Sequence, residues 1–308
     1  MSAGIQLGRL EVPAALDLDA SLARFSRHGD DLMDRWDGQR FLRPYRIAGE
    51  IGAVRLRRSA ATESILEVQT TPARPAAGLS GHLQSMFVDE QVALIMLGRR
   101  DPVIAELREL HPGLFPVRAL DPLGALLAMV TAQQVNLRLA LTVRRAILQR
   151  LGRRIAVGDD FVLSPDPEKM AAAAPEVWAE LRLTRAKARC LGTLGAAICR
   201  GELSLESLES ASDAEVRDRL TALPGLGPWT ASQYLTRVLG RPVVVADDLG
   251  VRKAVRLAYR LPVIPLAAEV LELTSDYGGA AVTAQQLLLY HLSQVSRPAA
   301  LPITPTSI

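Results

Sequence analysis

The stretch Leu223-Pro224-Gly225-Leu226-Gly227-Pro228-Trp229-Thr230-Ala231 sets two glycines and two prolines directly ahead of a helical pattern. Pro224 fixes φ near the value a tight turn needs, while Gly225 and Gly227 permit φ > 0 and carry no Cβ to block close approach. A glycine hairpin of this kind aims successive backbone N–H groups, and the N-terminus of the following helix, at one point in space. Such a point binds anions and suits a phosphate of a nucleic acid backbone. The competing reading is an ordinary turn between two helices. Downstream, the apolar run Val243-Val244-Val245-Ala246 ends in Asp247 and Asp248, and Leu249-Gly250-Val251-Arg252-Lys253-Ala254-Val255 opens a new helix. An aspartate at that junction sits at or near a helix N-cap beside an apolar run, and either carboxylate can serve simply as the cap.

These groups must be held by helices. The pattern from Trp229 is helical and stops at Gly240 with Pro242 beyond it, and Pro228 falls just inside the helix start, where its missing N–H costs nothing. From Asp121 onward the reading is almost all helix: 123–132, 137–151, 166–174, 175–181, 186–199, 204–208, 213–220, 266–273 and 282–292. The region ahead of it differs. Residues 51–57 and 64–69 alternate apolar and polar as half-buried strands do, with 59–63 joining them as a hairpin. Helices follow at 89–97 and 101–110, the second announced by Asp101-Pro102. Residues 1–40 show only weak apolar recurrence, and no fixed-period repeat is present.

The pairing of Leu-Pro-Gly-Leu-Gly-Pro-Trp-Thr-Ala with Ala-Asp-Asp-Leu-Gly-Val-Arg (residues 246–252) resembles the helix-hairpin-helix DNA glycosylases, most closely their 3-methyladenine DNA glycosylase II branch. Two further stretches fit that branch: Leu127-Ala128-Met129-Val130-Thr131-Ala132-Gln133-Gln134-Val135-Asn136, and the Lys187-Ala188 helix Leu183–Leu191 ahead of the hairpin. The likeness covers about residues 116–296 well and the N-terminal third loosely. It implies an α+β fold: a mostly helical glycosylase core with a small N-terminal antiparallel sheet. The implied domains are an N-terminal α+β domain (1–115), a core of two helical subdomains (116–296) and a flexible tail (297–308).

By the same resemblance Asp248 is the catalytic carboxylate, since it is followed two residues on from Leu249 by Val251 as the family pattern asks, whereas Asp247 would place Gly250 at the valine position. Cleaving an N-glycosidic bond builds positive charge on the sugar, and a carboxylate stabilises that charge or deprotonates the attacking water. Asp247 can cap while Asp248 faces the sugar. Strand-cutting relatives carry a Schiff-base lysine where this chain has Trp229, so the resemblance implies water as nucleophile and no lyase activity. Gln134 takes the position that wedges into the duplex, where the family often has an apolar residue. Gly225, Gly227, Thr230 and Gln133 are the other implied DNA contacts. Trp229, Tyr234 and Tyr277 are the implied pocket rings, with Tyr290 also near; Tyr277-Gly278-Gly279-Ala280 stands where the family often has Trp. The carbonyls of Thr221, Leu223 and Leu226 are the implied seat of a structural Na+ or K+, with no cofactor required. The implied activity is release of alkylated bases such as 3-methyladenine and 7-methylguanine from double-stranded DNA, after flipping, to leave an abasic site. Uracil or hypoxanthine as the excised base, and a non-catalytic damage-binding module, are the alternatives.

Composition narrows the classes. Only Cys190 and Cys199 are present, so a four-cysteine iron–sulfur cluster is excluded, and the four histidines show no ligand spacing. The net charge of +3 is too small to argue nucleic acid binding, but its distribution is uneven. Every charged residue from Arg138 to Arg154 is basic, Arg182, Arg185, Lys187, Arg189 and Arg200 form a second such group, and the N-terminal region holds Asp30, Asp31, Asp34 and Asp37. No apolar run reaches the roughly 18 residues of a membrane span, and no signal-peptide pattern opens the sequence. A cytoplasmic, nucleoid-associated monomer is the expectation.

Overall fold

A computed structural model describes residues 5–60, 62, 64–72 and 75–296; the expected flexible tail, 297–308, lies outside them. In chain order the elements are β1 (Ile5–Glu11), α1 (Leu18–Leu22), β2 (Arg35–Trp36), β3 (Arg40–Ile47), β4 (Glu50–Arg58), β5 (Ile65–Thr71), α2 (Leu79–Gln84), α3 (Gln91–Gly98), α4 (Pro102–Leu110), α5 (Pro122–Ala132), α6 (Leu137–Leu151), β6 (Gly152–Val157) and β7 (Asp160–Pro165). There follow α7 (Pro167–Ala172), α8 (Pro175–Glu180), α9 (Arg185–Cys199), α10 (Asp213–Thr221), α11 (Pro228–Arg237), α12 (Leu249–Ala258), α13 (Ala267–Leu273) and α14 (Ala281–Val295), with short 3-10 turns between some of them. The fold is α+β, mostly helical with a small antiparallel sheet. The described residues form two compact units, one within 5–89 and 113–243, the other within 90–112 and 244–296. The division is discontinuous, whereas the sequence reading drew contiguous ranges.

In the first unit, five antiparallel strands run in the order β1-β5-β4-β3-β2. The two strands read from alternation lie within β4 and β5, with Val54 opposite Thr70 and Arg57 opposite Glu67. Leu66, Val68 and Thr70 of β5 face inward while their neighbours face out, as a period of two requires. Leu22, Leu56, Leu79, Leu83, Met86 and Phe115 close one face of this sheet, and full burial of side chains of this size stabilises by roughly 1.5–3 kcal/mol each.

The reading of almost all helix beyond Asp121 left residues 152–165 unassigned, and these are extended. Residues 152–165 are the hairpin β6–β7, turning at Gly158 with φ +60°. Its apolar residues Ile155, Val157 and Val162 pack with Leu42 and Ala53 of the large sheet. A buried polar cluster fastens the same junction: Arg46 Nε donates to Asp121 Oδ1 (3.1 Å), and Ser164 Oγ donates to Asp121 Oδ2 (2.6 Å). Asp121 also caps α5 through the Leu123 N–H (3.2 Å). One carboxylate thus joins the sheet, the added hairpin and the start of α5.

α5 is apolar nearly all round, and Leu123, Leu126, Leu127 and Val130 are fully buried, as a central helix demands. α6, α9 and α11 pack around it, contributing Ile147, Leu191, Leu194, Ala231 and Leu235 to one core. The acidic N-terminal segment is neutralised within this unit: Asp30 pairs with Arg35, Asp34 with Arg43, and Asp31 with Arg144.

In the second unit, α14 buries Val282, Ala284, Leu287 and Leu288 against α12 and α4. Asp101 caps α4 as read from Asp101-Pro102, accepting from the Val103 and Ile104 N–H groups with Oδ1 (2.9 and 3.2 Å). Glu90 Oε2 reaches the first turn of α14 and accepts from the Thr283 N–H (2.8 Å), supplying a cap that the flanking Ala280 cannot. No helix among the described residues is long and apolar enough to cross a membrane.

Where α4 ends, His111 Nε2 lies 3.1 Å from His291 Nδ1 on α14, and the His111 ring stands edge-on to Tyr290. Burial, and secondarily the charge of His291, lower the His111 pKa below its ordinary value. The folded protein therefore binds fewer protons here than the unfolded chain. Its stability is fully present above the ordinary value near 6.5 and is lost as pH falls through the lowered one. Urea unfolding should give a lower midpoint at pH 5.5 than at pH 7.5, with a shallower pH slope in His111→Gln; a slope unchanged in that variant would contradict the assignment.

Candidate active site

The glycine stretch is a helix-hairpin-helix, as expected. α10 is opened by a capping box in which Ser212 Oγ accepts from the Glu215 N–H and Glu215 accepts from the Ser212 N–H. Leu226 anchors the turn in the core at 2% exposure, and its N–H donates to the Leu223 carbonyl (3.1 Å). The two glycines differ in a way the sequence did not show. Gly225 has φ +91°, and a Cβ there would lie 2.7 Å from Cys190 Cβ. Gly227 has ordinary extended backbone (φ −94°, ψ −178°), and a Cβ there would meet no atom within 4 Å. It is the N-cap of α11 and offers no side-chain cap. Neither conformation nor packing asks for glycine at 227, and its absent side chain leaves the α11 N-terminus open from outside. The N–H groups of Trp229 and Thr230 belong to that first turn, where no intrahelical carbonyl can serve them.

The Gln133-Gln134 segment ends α5 and belongs to the same unit. Gln134 is exposed and adopts φ +55°, a left-handed value uncommon for a side-chain-bearing residue. Gln133 is turned inward instead: its Nε2 donates to the Gly225 carbonyl (3.0 Å) and to Thr230 Oγ1 (3.4 Å). Thr230 is 1% exposed. The side chains of Gln133, half-buried, and Thr230, buried, both expected against DNA, thus bond the hairpin to the glutamine turn. Lys187 was read only as part of a motif. Its Nζ donates to the carbonyls of Thr131 (3.2 Å) and Gln133 (2.6 Å), and burial lowers its pKa.

Trp229 is half-buried and rests against the core of the first unit. Tyr234 corrects an expectation: it has no exposed surface and is a core ring, since its position on α11 faces α5 rather than solvent. The basic groups are partly consumed inside the fold, Arg144 by Asp31, Arg153 by Asp166 and Lys187 by the glutamine turn, while Arg138, Arg150, Arg185 and Arg189 are exposed.

Asp248 and Tyr277 fall in the second unit. Val245-Ala246-Asp247-Asp248 is a turn closed by the Asp248 N–H to the Val245 carbonyl (3.0 Å). The buried amide of Gln285 fixes it by accepting from the Val245 N–H (2.7 Å). Asp248 itself is the N-cap of α12, with Oδ1 accepting from the Val251 N–H (3.0 Å). Asp247 is exposed and does not cap, so the capping role foreseen for it falls to Asp248. Gly250 clears space for the carboxylate, since a Cβ there would lie 2.9 Å from Asp248 Oδ1. Tyr277 is 2% exposed, and its hydroxyl is 2.8 Å from that of Tyr259, which in turn donates to Asp101 Oδ2. Gln285 and Gly250 were not singled out from the sequence; a glutamine inside an otherwise apolar helix face was the available signal for the first.

The carbonyls expected to seat a monovalent cation, those of Thr221, Leu223 and Leu226, lie on one turn and are hard oxygen donors of the type such an ion takes, with Leu223 also accepting from Leu226. No group of three or more His, Cys, Asp or Glu among the described residues could hold a metal.

No protein-family model matches the sequence. A Bacillus subtilis DNA-3-methyladenine glycosylase is 26% identical over 180 residues, 58% of this chain and 59% of that protein. The chain spans 59–64% of the length of the first curated relatives it matches. Among solved structures, a 3-methyladenine DNA glycosylase from Archaeoglobus fulgidus superposes with a TM-score of 0.79 at 21% identity, over 93% of this chain and 98% of that one. The Schizosaccharomyces pombe 3-methyladenine DNA glycosylase, solved with abasic DNA, gives 0.58 at 26% identity, over 67% of this chain and 98% of that one. The chain therefore shares the fold of these glycosylase structures and is similar in sequence to proteins named DNA-3-methyladenine glycosylases.

Proposed function

We propose that this protein is a monofunctional DNA glycosylase that removes alkylated bases of the 3-methyladenine and 7-methylguanine type from double-stranded DNA and leaves an abasic site. The observation that carries the reading is Gly227. It is a glycine required by neither its φ nor its neighbours, placed at the uncapped N-terminus of a helix. Close approach of a phosphate to the first-turn N–H groups accounts for it, with the helix dipole adding to the attraction.

In this reading the hairpin holds the DNA backbone and Gln134, exposed at the tip of its turn, fills the gap left by the flipped nucleotide. Alkylation makes the purine cationic, hence a good leaving group and a good partner for the Trp229 ring. The base departs with the electron pair of the glycosidic bond and becomes neutral. Water adds its oxygen to the sugar C1′, and its proton passes to Asp248, whose negative charge also stabilises the developing sugar cation. Trp229 occupies the place where strand-cutting relatives carry an amine, so no Schiff base forms. A monovalent cation on the carbonyls of Thr221, Leu223 and Leu226 would brace the hairpin.

The test is incubation of the protein with methylated duplex DNA, followed by identification of the free bases and assay of strand breaks. The expected result is release of 3-methyladenine or 7-methylguanine, with breaks only after alkali. Tight binding without release would overturn the catalytic reading, and breaks without alkali would overturn the monofunctional one.

A further inference from the structure

We propose that Lys187 and Gln133 are positioning residues that hold the turn carrying Gln134 in its wedging conformation and lock it to the hairpin. The inference rests on the glycosylase reading and adds to it two residues that act through Gln134 rather than on the DNA. The chemistry begins on α9. Thr184 Oγ1 caps this helix by accepting from the Lys187 N–H (3.3 Å), which fixes the backbone from which the lysine extends. The Lys187 ammonium lies at the C-terminal end of α5, where helix carbonyls lack partners and the dipole favours a cation. There it donates to the carbonyls of Thr131 and Gln133 (3.2 and 2.6 Å). Three residues on, Cys190 packs directly against Gly225 of the hairpin, in contact so close that no Cβ fits between them.

α9 therefore touches both DNA-facing devices, the glutamine turn through Lys187 and the hairpin through Cys190. Gln133 closes the triangle with its bonds to the Gly225 carbonyl and Thr230 Oγ1. Beyond the turn, Asn136 caps α6 by accepting from the Leu139 N–H (2.9 Å). Gln134 sits between these fixed points with φ +55°. A left-handed glutamine persists only where its surroundings over-determine it. The bonds from Lys187 and Gln133 supply that constraint, and without them Gln134 relaxes toward φ < 0 and its side chain leaves the wedging position.

The test uses the full-length protein with Lys187→Met and Gln133→Met, which keep side-chain length and remove the donors. A duplex holding an abasic-site analogue opposite 2-aminopurine reports insertion into the stack by its fluorescence, and methylated duplex reports base release at saturating protein. Displacement of a wedge by an ångström is worth up to about 10²-fold in rate. Each variant should lose most of the 2-aminopurine rise and at least about 10-fold in release, while duplex affinity changes less than about 3-fold. The double variant should fall no further than the worse single, since both residues serve one turn. The salt dependence of binding should be unchanged in Lys187→Met. A slope reduced by about 0.9 would mean that Lys187 touches a phosphate directly and would overturn the proposal; so would additive losses, or wild-type fluorescence and release in both variants. Should Lys187→Met not fold, Gln133→Met alone decides, because its fluorescence and affinity are separable. A wild-type protein that neither raises the fluorescence nor releases base would instead refute the glycosylase reading beneath the inference.

Discussion

Asp248→Asn is expected to cut base release by about 10²-fold or more, the range lost when a proton acceptor or charge stabiliser is removed from a transition state. The substitution is clean for a structural reason. Asp248 does two jobs, capping α12 through the Val251 N–H and, in the proposed mechanism, facing the sugar. Asparagine caps nearly as well as aspartate, so the fold is kept and only the charge is lost. Asp248→Ala would lose the cap too, at a cost of about 1 kcal/mol. The two variants should therefore match in residual release and differ in urea midpoint. Duplex affinity should hold or rise in Asp248→Asn, because a negative charge facing a polyanion has gone. Release at the wild-type rate in that variant would remove Asp248 from the mechanism.

The second large effect belongs to the hairpin, where the two glycines separate stability from binding. Gly225→Ala puts a Cβ 2.7 Å from Cys190 Cβ, on a backbone at φ +91°. Left-handed strain of about 1–2 kcal/mol adds to overpacking of about 1–3 kcal/mol. A clear fall in melting temperature should follow, with loss of DNA binding as the hairpin shifts. Cys190→Ala should not rescue it, since the nearest atom is Cys190 Cβ and not the sulfur at 2.9 Å. Gly227→Ala meets nothing within 4 Å on ordinary backbone, so its stability should stay within about 0.5 kcal/mol of wild type. Its duplex affinity should nevertheless drop, because the methyl group stands where the phosphate approaches. Thermal melts and binding isotherms of both variants check this. Normal binding in Gly227→Ala would remove the main support for the DNA-facing hairpin.

Much of this was readable from residues because the signals are local. Asp101-Pro102 and the Asp248 junction are caps and Pro228 is a first-turn proline, signals that depend only on residues a few places apart, so α4, α11 and α12 begin where their sequences say. The β4–β5 hairpin was equally plain from alternation. What escaped depends on partners distant in sequence. β6–β7 is a short alternating segment between two strong helices, and only its packing on Leu42 and Ala53 explains why it stays extended. Gln133 and Thr230 have the types expected of DNA contacts, yet their side chains bond one another across nearly a hundred residues. The inward turn of Tyr234 follows from which face of α11 meets α5, which no motif encodes. Gln285 stood out only as a polar residue on an apolar helix face; its role escaped because its partner, the Val245 N–H, is a backbone group forty residues away.

The β6–β7 hairpin has a consequence for how the molecule can be taken apart. Counted along the chain, the sheet region and the helical core look like modules separable near residue 115. In space, Ile155, Val157 and Val162 share a core with the large sheet, and Asp121 is satisfied only with Arg46 and Ser164 both present. A truncation that discards the N-terminal segment would strip the cover from three apolar side chains and leave a buried carboxylate without its counter-charge. The sheet is thus a foundation for α5 and the turn at its far end, and trimming the protein to its helices would remove the ground on which the Gln134 turn stands.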